Sequence, residues 1–303
     1  MSRNDILALL GAMGLAIGSQ DAAAQDVYVT LVHTHFSASD SNGRPVTNLG
    51  RTDFTVYDNE VPQEVTEFGQ RVNAPLSVAV LIDRSRSVST QLPLLKTAAE
   101  TFASTVLSRP DDRGLLVAFD SKVYLLQDWT ADAAKLRHEI GALTASGGTS
   151  MFDAVFKTCR SKFDPAANRQ NALVLVTDGE DTTSVATFEQ ALQMAAVTRT
   201  AVYVIGVPAD ASLNTRELQG RTVLTKLAEL TGGRLFYPDD HSPGSLDSLF
   251  ARVRDELRSE YTLAFYLSLP PDNAFHRLRI EPKDKSLMVH APRGYYARSL
   301  NQP

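Results

Sequence analysis

Leu76-Ser77-Val78-Ala79-Val80-Leu81-Ile82 runs straight into Asp83-Arg84-Ser85-Arg86-Ser87. A strand with one wet face alternates apolar and polar residues, whereas this run is almost continuously apolar. That is the signature of a strand covered on both faces, as in a parallel sheet with helices on either side. The abrupt change to charged and hydroxylated residues marks where the strand leaves the core. The run is therefore expected to be a central strand ending in a polar loop.

The residues that follow support the same architecture. Leu92, Leu95, Ala99, Phe102 and Val106 recur at steps of three and four, one face of an amphipathic helix. Leu115–Phe119, Ala172–Val176 and Ala201–Ile205 repeat the buried-strand pattern. Helical stretches are expected around Met151–Phe163, Thr187–Thr198, Val223–Leu230 and Leu246–Leu257. Strands alternating with helices specify a doubly wound α/β domain with a mainly parallel sheet.

Outside this core the character changes. Val27–Val32 and Phe54–Tyr57 read as strands, with turn signals at Asn42-Gly43 and Asp58-Asn59. Tyr261–Leu269, Arg277–Glu281 and Leu287–His290 repeat strand character, with a turn at Pro270-Pro271-Asp272-Asn273. The expected organisation is a leader at 1–24, a β-rich flank at 25–72, the α/β domain at 73–258 and a second β-rich flank at 259–303. The two flanks are expected to pair into one small β subdomain, because chain ends often lie close together.

The chain has 303 residues, 43% of them hydrophobic and 21% charged, enough to bury a substantial core. A net charge of -5 and the absence of basic stripes give no reason to expect nucleic-acid binding. Cys159 is the single cysteine, which excludes an intramolecular disulfide and a cysteine-rich metal site. Arg3, the apolar stretch Ile6–Ile17 and then Ala22-Ala23-Ala24 have the order of an export signal. That stretch is shorter than the ~20 residues of a membrane span. A periplasmic or secreted protein without a span in the mature chain is the resulting expectation.

Ligands of open parallel sheets bind outside the carboxyl ends of the strands. Three stretches are placed to meet there: Asp83-Arg84-Ser85-Arg86-Ser87, Gly147-Gly148-Thr149-Ser150 and Thr177-Asp178-Gly179-Glu180-Asp181. Asp83, Ser85, Ser87, Thr149 and Asp178 offer two carboxylates and three hydroxyls, an all-oxygen set. Hard oxygen donors suit Mg²⁺, with Mn²⁺ or Ca²⁺ as the other candidates, and do not suit zinc or copper. Asp83 is expected at an open crevice with little surface buried. Asp153 and Asp181 lie near the set, where they either support it or supply charge to the first turn of a helix. His33 and His35 share one face of a strand; a polar strand face is the expectation there, with metal binding as the sharper alternative.

Asp-x-Ser-x-Ser after the first core strand, a later Thr, and Thr-Asp-Gly together resemble the metal-ion-dependent adhesion site of von Willebrand factor A-type domains. The resemblance covers roughly Leu76 to Leu257. In the flanks, Asn42-Gly43-Arg44-Pro45-Val46, Asp53-Phe54, Val61-Pro62-Gln63-Glu64 and Arg293-Gly294-Tyr295-Tyr296-Ala297 resemble the VWFA-related acidobacterial domain family. The resemblance implies a Rossmann-like fold and a cation held directly by Ser85, Ser87 and Thr149. Asp83 and Asp178 would bind it directly or through water, and an acidic side chain of a partner protein would complete the shell. It implies a binding module, not an enzyme, whose last helix can slide as the metal site changes. Arg84 and Arg86 depart from the small residues usual between the serines. They either point away or form a charge-assisted fork with the partner's carboxylate.

The alternative is a Mg²⁺-dependent hydrolase resembling aspartyl-nucleophile phosphatases of the haloacid dehalogenase type. That chemistry needs a second Asp where Ser85 stands and a Lys near Asp178, and this sequence has neither.

Overall fold

A computed structural model describes residues 30–70, 74–207, 215–238, 243–267 and 272–297. The expected leader at 1–24 and the two prolines of the expected Pro270-Pro271-Asp272-Asn273 turn lie outside these residues. The chain opens with β1 (Leu31–Ser39), β2 (Phe54–Asp58), β3 (Val61–Gln63) and β4 (Val65–Gln70). The core follows as β5 (Leu76–Asp83), α1 (Leu92–Val106), β6 (Arg113–Phe119), β7 (Val123–Thr130), α2 (Ala133–Gly141) and α3 (Met151–Lys162). It continues through β8 (Gln170–Thr177), α4 (Phe188–Val197), β9 (Thr200–Gly206), α5 (Thr215–Leu230), β10 (Leu235–Phe236) and α6 (Pro243–Arg258). The chain then returns to strands in β11 (Tyr261–Tyr266), β12 (Phe275–Pro282), β13 (Met288–His290) and β14 (Gly294–Tyr296).

The core sheet has the order β10-β9-β8-β5-β6-β7, parallel throughout except for β7 at one edge. β5 lies between β8 and β6, as its apolar run predicts. Its alternate side chains explain why the run is continuous. Val78, Val80 and Ile82 pack under α1, α2 and α6, through residues such as Phe102, Ile140 and Phe250. Ala79 and Leu81 face α3, α4 and α5, through Val155, Ala195 and Leu227. Sequence reading passed over β7 and α2. β7 is only half-covered, so its outline lacks the uninterrupted apolar run of its neighbours.

The flanks interleave in two four-stranded sheets, β13-β1-β11-β4 and β14-β12-β2-β3. β1 pairs with β11 from Leu31↔Tyr266 to Phe36↔Tyr261, and β12 pairs with β2 from Leu278↔Asp58 to Pro282↔Phe54. Both sheets contribute to one apolar core, with Phe36 4.8 Å from Phe54 and 5.2 Å from Tyr261 between ring centres. The expected β subdomain is thus a small sandwich drawn from both ends of the chain. The turn at Asp58-Asn59 is a tight hairpin in which Asn59 and Glu60 adopt φ of 46° and 67°. Left-handed backbone at both central residues is what a type I′ two-residue hairpin requires.

One polar network runs across the β14-β12-β2-β3 sheet. His276 Nδ1 lies 2.9 Å from Asp58 Oδ1, its Nε2 lies 3.2 Å from Asp272, and the Tyr295 hydroxyl donates to Asp58 at 3.0 Å. Burial works against a charged imidazole, but the hydrogen bonds and charge of Asp58 and Asp272 outweigh it, so the His276 pKa is raised. A raised folded-state pKa adds stability that is fully present below the unfolded value of about 6.5. That stability is lost as pH climbs through the folded value. Melting scans from about pH 5.5 to 8.5 should therefore show the wild type losing ground to Asp58→Asn as pH rises. Parallel curves for the two proteins would refute the linkage.

Candidate metal centre

β5 leads to β6 on one side, while β8, β9 and β10 build out on the other. The strand order reverses between β5 and β8, and such switch points leave a crevice at the strand carboxyl ends. Asp83 is the last residue of β5, and Asp178 follows the last residue of β8.

Hydrogen bonds gather the surrounding loops. Ser146 N donates to Arg84 O at 2.7 Å, and Arg86 N donates to Gly147 O at 3.3 Å. Thr182 N and Thr183 N donate to Thr149 O at 2.9 and 3.0 Å, and Thr149 N donates to Thr182 Oγ1 at 2.9 Å. The β5–α1 loop is therefore tied to the loop before α3, which is tied in turn to the loop after β8. Two glycines make the close approach feasible. Gly147 has φ +71°, and a Cβ there would meet Ser121 Oγ at 2.9 Å. Gly179 has φ +91°, and a Cβ there would meet Leu224 Cδ1 at 2.8 Å and the Gly220 backbone at 3.0 Å.

Asp83 is fully buried, which corrects the expectation of an open crevice position. Its Oδ1 accepts from Ser85 N at 2.8 Å and its Oδ2 from the Thr177 hydroxyl at 2.7 Å. Burial pushes its pKa up to about 7; the Thr177 hydrogen bond opposes the rise, and the charge of Asp178 adds to it. Ser85 is buried, and its Oγ lies 2.9 Å from Ser87 Oγ on the exposed side. Thr149 is buried, and Asp178, nearly so, accepts from Glu180 N at 3.1 Å.

The neighbouring charges have separate tasks. Asp181 accepts from Met151 N at 2.7 Å and Phe152 N at 3.2 Å, which satisfies the first amides of α3. Asp153 accepts from Ala186 N at 2.8 Å and Val185 N at 3.2 Å, and pairs with Lys157 at 2.8 Å. Between them the two carboxylates tie the loop after β8 to the first turn of α3. Arg84 points away: its Nε and an Nη donate to Asp120 at 3.0 and 2.7 Å, and its guanidinium lies over the Tyr124 ring. Arg86 is exposed.

Sequence reading overlooked Thr177, Asp120 and the Thr182–Ser184 segment. Asp120 directly follows β6, so the rule that singled out Asp83 and Asp178 also points to it. Thr177 stands inside the quoted Thr-Asp-Gly motif, but which neighbour its hydroxyl reaches depends on the β5–β8 pairing. Among the described residues, no group of three or more His, Cys, Asp or Glu side chains could hold a metal ion. His33 and His35 belong to no such group. A cation in the crevice would rest on hydroxyls as much as carboxylates, and the set present fits a hard cation. Two like-charged carboxylates share a largely buried loop cluster with three hydroxyl oxygens.

The fold and this rim define a doubly wound α/β domain with an oxygen-rich cluster of loops at its switch point. Residues 78–180 match the sequence profile of the von Willebrand factor type A domain, and this chain carries such a domain. A von Willebrand factor type A protein from Catenulispora acidiphila is 14% identical. The match covers 88% of this chain and 73% of that one, with a TM-score of 0.52. Proximal thread matrix protein 1 from the mussel byssus is 15% identical over 74% of this chain and 50% of its own, with a TM-score of 0.50. BatB from Bacteroides thetaiotaomicron is 17% identical over 61% of this chain and 100% of its own, with a TM-score of 0.48. At such identities the likeness concerns the fold. No curated protein matches the sequence. No helix among the described residues is long and apolar enough to cross a membrane.

Proposed function

We propose that this chain is an exported, non-enzymatic binding module that grips a partner protein through a divalent cation. Asp83, Ser85, Ser87, Thr149 and Asp178 would hold the cation, Mg²⁺ in preference to Mn²⁺ or Ca²⁺. When bound, it would supply a Lewis-acidic position for a carboxylate oxygen of the partner. The observation that carries this reading is the placement of Asp83 and Asp178 at the carboxyl ends of adjacent strands at the switch point, among hydroxyls on mutually bonded loops. The charge of Asp178 adds to the cost of ionising Asp83, and a cation beside the two would relieve it. Ser85 and Thr177 orient Asp83, while Thr182 and Thr183 hold the Thr149 backbone. Arg84 is turned onto Asp120, so of the two arginines Arg86 is the one placed to meet a partner carboxylate. Export rests on the leader pattern at 1–24.

Calorimetric titration of the full chain with Mg²⁺, Mn²⁺ and Ca²⁺ should show one bound cation. Affinity capture from an envelope fraction should recover a partner in Mg²⁺ and release it in EDTA. No heat of binding for any of the three ions would end this reading.

A further inference from the structure

The parallel register of β5 and β6 pairs Asp83 with Phe119, so one residue further on Arg84 stands opposite Asp120. The Arg84 backbone is held on both sides. Its N donates to Phe119 O at 2.9 Å, and its O accepts from Ser146 N at 2.7 Å. Only the side chain is left to choose a direction, and Asp120 sets it. Asp120 Oδ2 accepts from Arg84 Nε at 3.0 Å and from an Nη at 2.7 Å. The guanidinium also lies over the Tyr124 ring, 4.7 Å from its centre.

Asp120 is itself firmly placed. Its side chain is only 5% exposed, and its Oδ1 accepts from Lys122 N at 2.9 Å. Its carbonyl accepts from Ser150 N at 2.7 Å, the residue directly after Thr149. A Cβ on Gly147 would come within 3.3 Å of the Asp120 Cβ. The carboxylate therefore sits against the loop that carries Thr149, with one oxygen on a backbone amide and the other on Arg84. The pair matters because of where Arg84 falls in the chain, between Asp83 and Ser85. A guanidinium does not shed its proton, so only a neighbouring carboxylate can cancel its charge. Left uncancelled, that charge repels a divalent cation and competes with it for Asp83 and Asp178. Among buried groups such repulsion is screened less than on an open surface.

We infer that Asp120 is a positioning residue of the metal centre: by neutralising Arg84 and holding it away from Asp83 and Asp178, it sets the affinity of the site for its cation. The inference rests on the proposed ligand set of Asp83, Ser85, Ser87, Thr149 and Asp178. It extends that set to a carboxylate that acts through Arg84 and not by touching the ion.

Calorimetric titration of the full chain with Mg²⁺ tests it in wild type, Asp120→Asn, Arg84→Gln and the double variant, with thermal scans to show that each is folded. Asparagine keeps an oxygen for Lys122 N and loses the charge. Asp120→Asn should bind Mg²⁺ at least about tenfold more weakly than wild type. Arg84→Gln alone should bind at least as tightly as wild type, because Asp120 keeps its charge and loses its counter-ion. The double variant should return to within about threefold of wild type, since both charges are gone. That recovery separates positioning from the alternatives: a carboxylate that touched the cation, or merely held the loops together, would not be replaced by a second substitution at Arg84. Unchanged affinity in Asp120→Asn, a loss that Arg84→Gln does not restore, or weaker binding in Arg84→Gln alone each overturns the inference and leaves the cation reading standing. Should Asp120→Asn not fold, the Arg84→Gln result decides in the same sense. A wild-type chain that takes up no cation overturns both.

Discussion

Asp83→Asn is expected to abolish divalent-cation binding while the sheet stays folded. The wild-type chain should gain about 2.7 kcal/mol of stability at a cation concentration ~100 times the dissociation constant, by mass action on the native state. The variant should gain nothing. Asparagine keeps an oxygen for one of the two donors on Asp83, Ser85 N or the Thr177 hydroxyl, and removes the charge. It also removes the cost of a buried carboxylate whose pKa is pushed up to about 7, so the cation-free variant should be no less stable than wild type. Asp83→Ala is the less clean probe, because both donors lose their acceptor, at about 1–3 kcal/mol for each group left unsatisfied. Thermal scans of the three proteins with and without Mg²⁺ separate these effects. A cation-dependent shift that survives in Asp83→Asn would remove Asp83 from the site.

The largest loss of stability is expected far from the site, at Asp112→Ala. The Asp112 side chain has no exposure and ties three parts of the core together. Its oxygens accept from Leu76 N at 3.0 Å and Arg109 N at 2.9 Å, and it pairs with Arg258 at the end of α6. Breaking a buried pair by removing one partner costs ~3–5 kcal/mol, because the remaining charge keeps its desolvation cost. A fall in Tm of roughly 10 °C follows for a domain of this size. The Lys162–Asp128 pair is the control: it has a similar distance, 2.7 Å, but Asp128 is 56% exposed. Asp128→Ala should cost no more than about 1 kcal/mol. Equal urea midpoint shifts for the two variants would show that burial does not decide the outcome.

These two sites show how much a single chain of letters can carry. The apolar run of β5 and the polar loop after it were enough to predict a buried central strand, because side-chain period along a strand is a local property. The order of the oxygen-bearing loops was legible for the same reason. Partners chosen across the fold were not. Thr177 reaches Asp83 only because β8 lies beside β5, and Arg84 reaches Asp120 only because β6 lies on the other side. The full burial of Asp83 depends on segments distant in sequence that pack around it, and nothing in its neighbours along the chain records that. The flanks make the point at longer range. Strand character in both was readable locally, whereas their division into two facing sheets depends on pairs such as Leu31↔Tyr266. Such pairs form only when distant segments are brought together, since pairing energy is set by cross-strand neighbours and shared burial rather than by the intrinsic preference of either strand.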